Sequence, residues 1–176
     1  MKISYILILS VIFLFSCSGN QEIQETGNSI PPEVLKQVLE IATDYAKSQL
    51  KDSVKTMTRD GITWISDKQM MYEIDPARIY TGLIDEDLNE DAIITLAIFQ
   101  GQNMKIPKHL IIIKSGNSLK LAKAIESQMR ILLINNKKII AEISSMAKDS
   151  PQSDCNLCKD TVDFQFNGVE LFEIKK

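Results

Sequence analysis

The chain has 176 residues, 44% hydrophobic and 24% charged, with 20 Lys and Arg against 23 Asp and Glu and a net charge of −3. Such usage excludes wholesale disorder, and an acidic balance makes nucleic acid an improbable partner. With three Cys and one His, neither a disulfide-dense scaffold nor a zinc cage is expected.

The amino terminus and Lys2 form a short positive head, Ile3 to Phe15 is apolar apart from Ser4 and Ser10, and Leu14-Phe15-Ser16-Cys17 closes the run. That order is a secretory signal. The apolar run is thirteen residues, short of the roughly 20 that cross a bilayer as a helix, so cleavage is expected rather than a permanent span.

Leu14-Phe15-Ser16-Cys17 resembles the lipobox of bacterial lipoproteins, with bulky Phe15 where that family carries a small or short branched residue. The resemblance implies a signal peptide over 1-16, lipidation of Cys17 as the first mature residue, and a membrane partner through that anchor. Ser18 after the Cys implies sorting to the outer membrane. The two or three acyl chains of such a Cys hold stably, where a single chain holds only marginally. The alternative, an ordinary signal peptide cut nearby, leaves Cys17 a plain thiol.

Ser18 to Ser29 is polar, contains two Gly and shows no apolar period, so 17-29 reads as the lipidated Cys and a flexible tether, and 30-176 as a single domain. Pro31-Pro32 opens a helix, because the first turn has no hydrogen bond for proline to remove. Val34, Leu35, Val38, Ile41, Ala42 and Tyr45 recur at helical steps, and Leu50, Val54 and Met57 continue the stripe. Lys36, Gln37, Glu40, Asp44 and Lys47 form the other side, and Asp60-Gly61 marks a turn.

Beyond Gly61 the period shortens to two. Strands are predicted over 62–66, 69–74, 78–84, 92–100, 110–114, 119–125, 129–134, 139–143, 161–166 and 169–174. The polar stretch Gln100 to Lys108, with Gly101 and Pro107, reads as an exposed loop. Asn167-Gly168 predicts a two-residue type I′ hairpin that sets Phe166 opposite Val169 and Phe164 opposite Leu171. Asn135-Asn136 predicts another, between strands apolar on both faces that the helix should cover on one side. The expected class is α+β: one long N-terminal helix packed on an antiparallel β-meander, an outline that resembles cystatin- or nuclear-transport-factor-like cups.

Two stretches carry site chemistry. Asp85, Asp87, Asn89 and Asp91 place oxygen-bearing side chains at alternate positions, as a calcium loop requires for a cation that takes six to eight oxygens. The stretch resembles the Asp-x-Asp-x-Asn loops of EF-hand and related β-repeat proteins. It departs from them at Glu90, where a sharp-turn Gly belongs, and in lacking a later acidic ligand. The competing reading is a solvated acidic turn ahead of a buried strand. Asp91-Ala92-Ile93 also resembles a turn-to-strand junction in uncharacterised secreted lipoproteins, a likeness that implies no activity.

Cys155 and Cys158 have the spacing of thiol oxidoreductases but lie in a Pro/Ser/Asp-rich stretch beside Asp154 and Asp160, which disfavour a thiolate. A structural disulfide between them is the expectation. His109 heads an apolar strand without a nucleophile motif, so a strand-end histidine is expected there. Trp64, Met70, Met71 and Tyr72 read as core or strand-surface residues.

Together these features point to a lipid-anchored envelope lipoprotein with a non-catalytic binding or inhibitory role, its partner an envelope protein or a small ligand. The alternatives are a calcium-stabilised structural module and a periplasmic thiol–disulfide protein that uses Cys155 and Cys158.

Overall fold

Two long strands buried on both faces set the centre of this fold, which belongs to the α+β class. The computed structural model describes residues 30–101, 104–144 and 159–175. Cys17, its tether, Cys155 and Cys158 lie outside the described residues.

The helix α1, Pro32–Gln49, begins where the proline pair predicts. Val38, Ala42 and Ala46, four residues apart, are fully buried, and the two alanines let its axis lie close to a sheet. The helix ends at Gln49 rather than continuing its stripe to Met57. Residues Lys55–Arg59 instead form β1, which pairs with β2, Ile62–Ser66, across Asp60-Gly61. Both turn residues have positive φ (51° and 79°), which supplies the twist that a tight hairpin needs.

Next come β3 (Met70–Ile74), a 3₁₀ turn (Pro76–Arg78) and β4 (Ile79–Gly82), then β5 (Asp91–Gln100), β6 (Met104–Ser115) and β7 (Ser118–Glu126). These strands form one antiparallel sheet in the order β1-β2-β3-β5-β6-β7, with β3 and β4 sharing one side of β5 end to end. The predicted loop from Gln100 to Lys108 is for the most part strand, since Gln100 pairs with Met104 and Ala97 with Pro107. Proline is tolerated in a strand where its missing N–H leaves no ladder bond unmade.

A second sheet runs β11-β10-β9-β8, from β8 (Arg130–Asn135), β9 (Lys138–Ser144), β10 (Lys159–Phe166) and β11 (Leu171–Glu173). The strands therefore divide into two sheets rather than one meander. The β8–β9 turn centres on Asn136 and Lys137, both at positive φ (49° and 63°), one residue beyond the predicted position. In the β10–β11 hairpin Phe166 faces Leu171 and Phe164 faces Glu173, a shift of two residues from the expected pairing. The Asn167 side chain explains the shift. Its Oδ1 accepts the N–H groups of Val169 and Glu170, at 3.0 and 2.7 Å, and widens the turn to four residues. Because the shift is even, Phe164, Phe166 and Leu171 keep a common face, whereas Val169 is left exposed.

The layers follow from alternation along β5 and β6. Ala92, Ile94, Leu96 and Ile98 of β5, with Leu110 and Ile112 of β6, face α1. Ile93 and Ile111 face the second sheet, where they meet Ile84, Met129, Ile131, Ile139, Ala141 and Phe166. The helix therefore covers the first sheet, not the β8–β9 strands as the sequence suggested. The outer side of the second sheet carries the ion pairs Lys138–Asp163 (3.2 Å) and Arg130–Glu142 (3.3 Å).

The two sheets touch most closely at β4 and β8. A Cβ placed on Gly82 would lie 2.8 Å from Cγ2 of Ile134, closer than van der Waals packing allows. Gly82→Ala should therefore cost about 1–3 kcal/mol by overpacking. Adding Ile134→Ala should recover part of that loss, so a double-mutant cycle by urea unfolding is expected to show favourable coupling between the two sites.

Candidate functional site

Three places in the described residues concentrate polar chemistry or open volume. The first is the loop from Asp85 to Asp91, between β4 and β5. The ligand atoms of Asp85, Asp87 and Asp91 converge within 4.8 Å of one another, so three of the four sequence-predicted residues meet. Asn89 turns aside, its side-chain amide donating to Asp87 Oδ2 at 2.8 Å. Asp85 accepts the Asp87 N–H and Asp87 accepts the Asn89 N–H, both at 2.9 Å, which makes a run of Asx turns. These bonds hold Asp87 below the usual carboxylate range, with the Asn89 amide as the largest cause.

Asp91 behaves differently because it is completely buried. Its Oδ2 accepts the Ile84 N–H at 2.9 Å and the Asp85 N–H at 3.4 Å, and its Oδ1 accepts the Lys114 N–H at 2.9 Å. One carboxyl thus ties the end of β4 to β5 and to the far end of β6. Burial pushes its pKa up, and the backbone donors oppose that rise. For a hard cation the loop offers a half-buried carboxylate on Asp85 and an exposed one on Asp87, while Asp91 already serves three backbone donors.

The second place is His109. It lies within β6 rather than at a strand end, because β6 begins at Met104, and it is 1% exposed. Its Nε2 lies 3.2 Å from the Ser127 carbonyl oxygen, which can only accept, so the ring proton sits on Nε2. Nδ1 then accepts the Thr95 hydroxyl at 2.9 Å. Both nitrogens are satisfied in the neutral form, and desolvation lowers the ring's pKa. The histidine is a structural clamp between β5, β6 and the segment after β7.

Sequence reasoning missed the third place, a cleft of about 360 Å³ between the sheets on the side away from the β4–β8 contact. Lys123, Ile125, Ser127 and Met129 line it from β7 and the following residues, with Phe164, Glu170 and Leu171 opposite. The β6–β7 register shifts between Ile111 and Ile112, so Lys120 and Lys123 stand opposite Ile113 and Ile111 and share the face that carries Ile125. Neither lysine pairs with a carboxylate among the described residues. A larger concavity, about 640 Å³, runs along α1, but the described residues that line it all belong to that helix and offer no opposing wall.

Tyr72, assigned to core or strand surface from sequence, is buried and packs edge-on against Tyr45, with ring centroids 6.4 Å apart. Desolvation pushes its hydroxyl up to about 12. No family model, curated protein or solved structure matches this chain.

The His109 clamp has a pH signature. Its folded-state pKa lies below the unfolded value of about 6.5, so the unfolded chain binds the extra proton. Stability should be full above pH ~6.5 and fall as pH drops below it. Urea unfolding at pH 7.5 and pH 5 should show this loss in the wild type and a smaller one in His109→Gln. The variant should also be weaker at pH 7.5 by about 1–3 kcal/mol, through its unmatched buried partners.

Proposed function

We propose that this protein is a lipid-anchored cell-envelope lipoprotein with a non-catalytic binding or inhibitory role, held through Cys17 at the outer membrane. The cleft between β7 and the β10–β11 hairpin carries the reading: its apolar walls, few polar groups and several-hundred-Å³ volume are what binding sites offer. Asp91 and His109, the buried polar residues among those described, are engaged in holding backbone and hydroxyl partners, which supports binding over catalysis. A helix covering one face of an antiparallel sheet supports the likeness to cystatin- or nuclear-transport-factor-like cups, a likeness that carries no activity.

The test is a crosslinked pull-down of tagged protein from intact envelopes, with Cys17→Ser as the unanchored control and intact mass measured on membrane-extracted protein. The expected result is an acylated Cys17 together with a protein or small molecule that is recovered from the wild type and lost with Cys17→Ser. An unmodified Cys17 would undo the anchoring, and recovery of nothing above background would undo the binding role.

A second reading, a calcium-stabilised structural module, is favoured by the convergence of Asp85, Asp87 and Asp91 within 4.8 Å. A cation at ~100 times its Kd adds about 2.7 kcal/mol, which for a chain of this size raises Tm by roughly 5–10 °C. Equal Tm in excess calcium and in chelator would discard this reading.

A further inference from the structure

The edge of β7 beside the cleft has the form of a strand-addition site. β7 ends the sheet order, so among the described residues one side of this nine-residue strand has no strand partner, although near its start the Leu119 N–H donates to Gln37 Oε1 at 3.1 Å. Its side chains then alternate with the period of any chain that pairs with it. Lys123 and Ile125, with Ser127 two residues further on, line the cleft. From Lys123 to Ser127 is about 13 Å at ~3.3 Å per residue, the reach of four or five residues of extended chain. The opposite edge, β1, is exposed along its whole length.

We propose that β7 and this cleft take an extended peptide strand that carries an acidic side chain two places from an apolar one; this deepens the binding role proposed above and rests on it. The pattern follows from what the added strand would face. Its acidic residue would lie beside Lys123, whose charge, like that of Lys120, has no carboxylate partner among the described residues. Glu126, at the end of β7, is already matched by Lys108 at 3.2 Å. Its apolar residue would pack against Ile125, Met129, Phe164 and Leu171. Glu170 lines the cleft from the β10–β11 side and disfavours a second acidic group there. Backbone pairing supplies affinity and the alternating side chains supply selectivity, as in other cases of strand addition.

The test uses the full mature chain and an array of acetylated, amidated heptapeptides in which Glu or Lys and Val or Leu alternate with Thr in both directions. The expected result is binding of the Glu-containing peptides. Lys123→Glu should weaken them at least tenfold, while the matching Lys-containing peptide gains affinity for that variant. N-methylation of the best peptide should abolish binding in one alternating set of residues and be tolerated in the other, because only one set of N–H groups faces β7. The proposal is overturned if no peptide binds, or if binding ignores both charge reversal and N-methylation. It is also overturned if sedimentation shows β7 pairing with a second copy of the chain, or if the lysines only keep the edge unpaired. A pull-down partner indifferent to Lys123→Glu would leave the binding role intact and remove this site from it.

Discussion

Burial of β5 and β6 on both faces is the constraint on which the rest of the structure depends. A strand pair with isoleucines and leucines on each side cannot leave either face to water, because each exposed side chain would forfeit about 1.5–3 kcal/mol. The helix α1 covers one face through Val38, Ala42 and Ala46. The second sheet covers the other through Ile131, Ile139, Ala141 and Phe166. Neither cover has a comparable apolar partner of its own among the described residues. The three layers therefore stand or fall together.

A dry interior makes its polar groups expensive unless they are fully matched. Asp91 and His109 are the two buried polar residues among those described, and both belong to the central pair. Asp91 gathers backbone donors from Ile84, Asp85 and Lys114. His109 joins Thr95 to the Ser127 carbonyl. Their chemistry thus fixes where the β4–β5 loop and the chain after β7 leave the sheet. No buried side-chain nitrogen or oxygen lacks a partner among the described residues.

The sandwich is asymmetric, closed on one side and open on the other. Gly82 against Ile134 draws the sheets together at β4 and β8, as only a residue without Cβ permits. On the other side β7 and the β10–β11 hairpin leave the cleft that Ile125, Met129, Phe164 and Leu171 line. Open volume appears where the second sheet stops short of covering the edge of the first, and Lys123 of β7 stands at that boundary.

The sequence by itself determined the elements whose signals are local. The start of α1 at the proline pair, the turn at Asp60-Gly61 and the buried alternation of β5 and β6 depend on neighbouring residues, and each was legible. Alternation also told which side chains share a face, and that survived the two-residue shift in the β10–β11 hairpin, because an even shift preserves parity. Tertiary structure decided what local patterns leave open. Lys55–Arg59 became strand rather than helix because β2 was there to pair with it. Residues 104–108 joined β6 because β5 was long enough to receive them. The residues around Asp91 do not say which distant backbone its carboxyl will meet, and only the arrival of the Lys114 N–H, 23 residues away, ties it to β6. The cleft was invisible for the same reason: its walls are brought together by the packing of two sheets, and burial between distant strands leaves no mark on the order of residues within either.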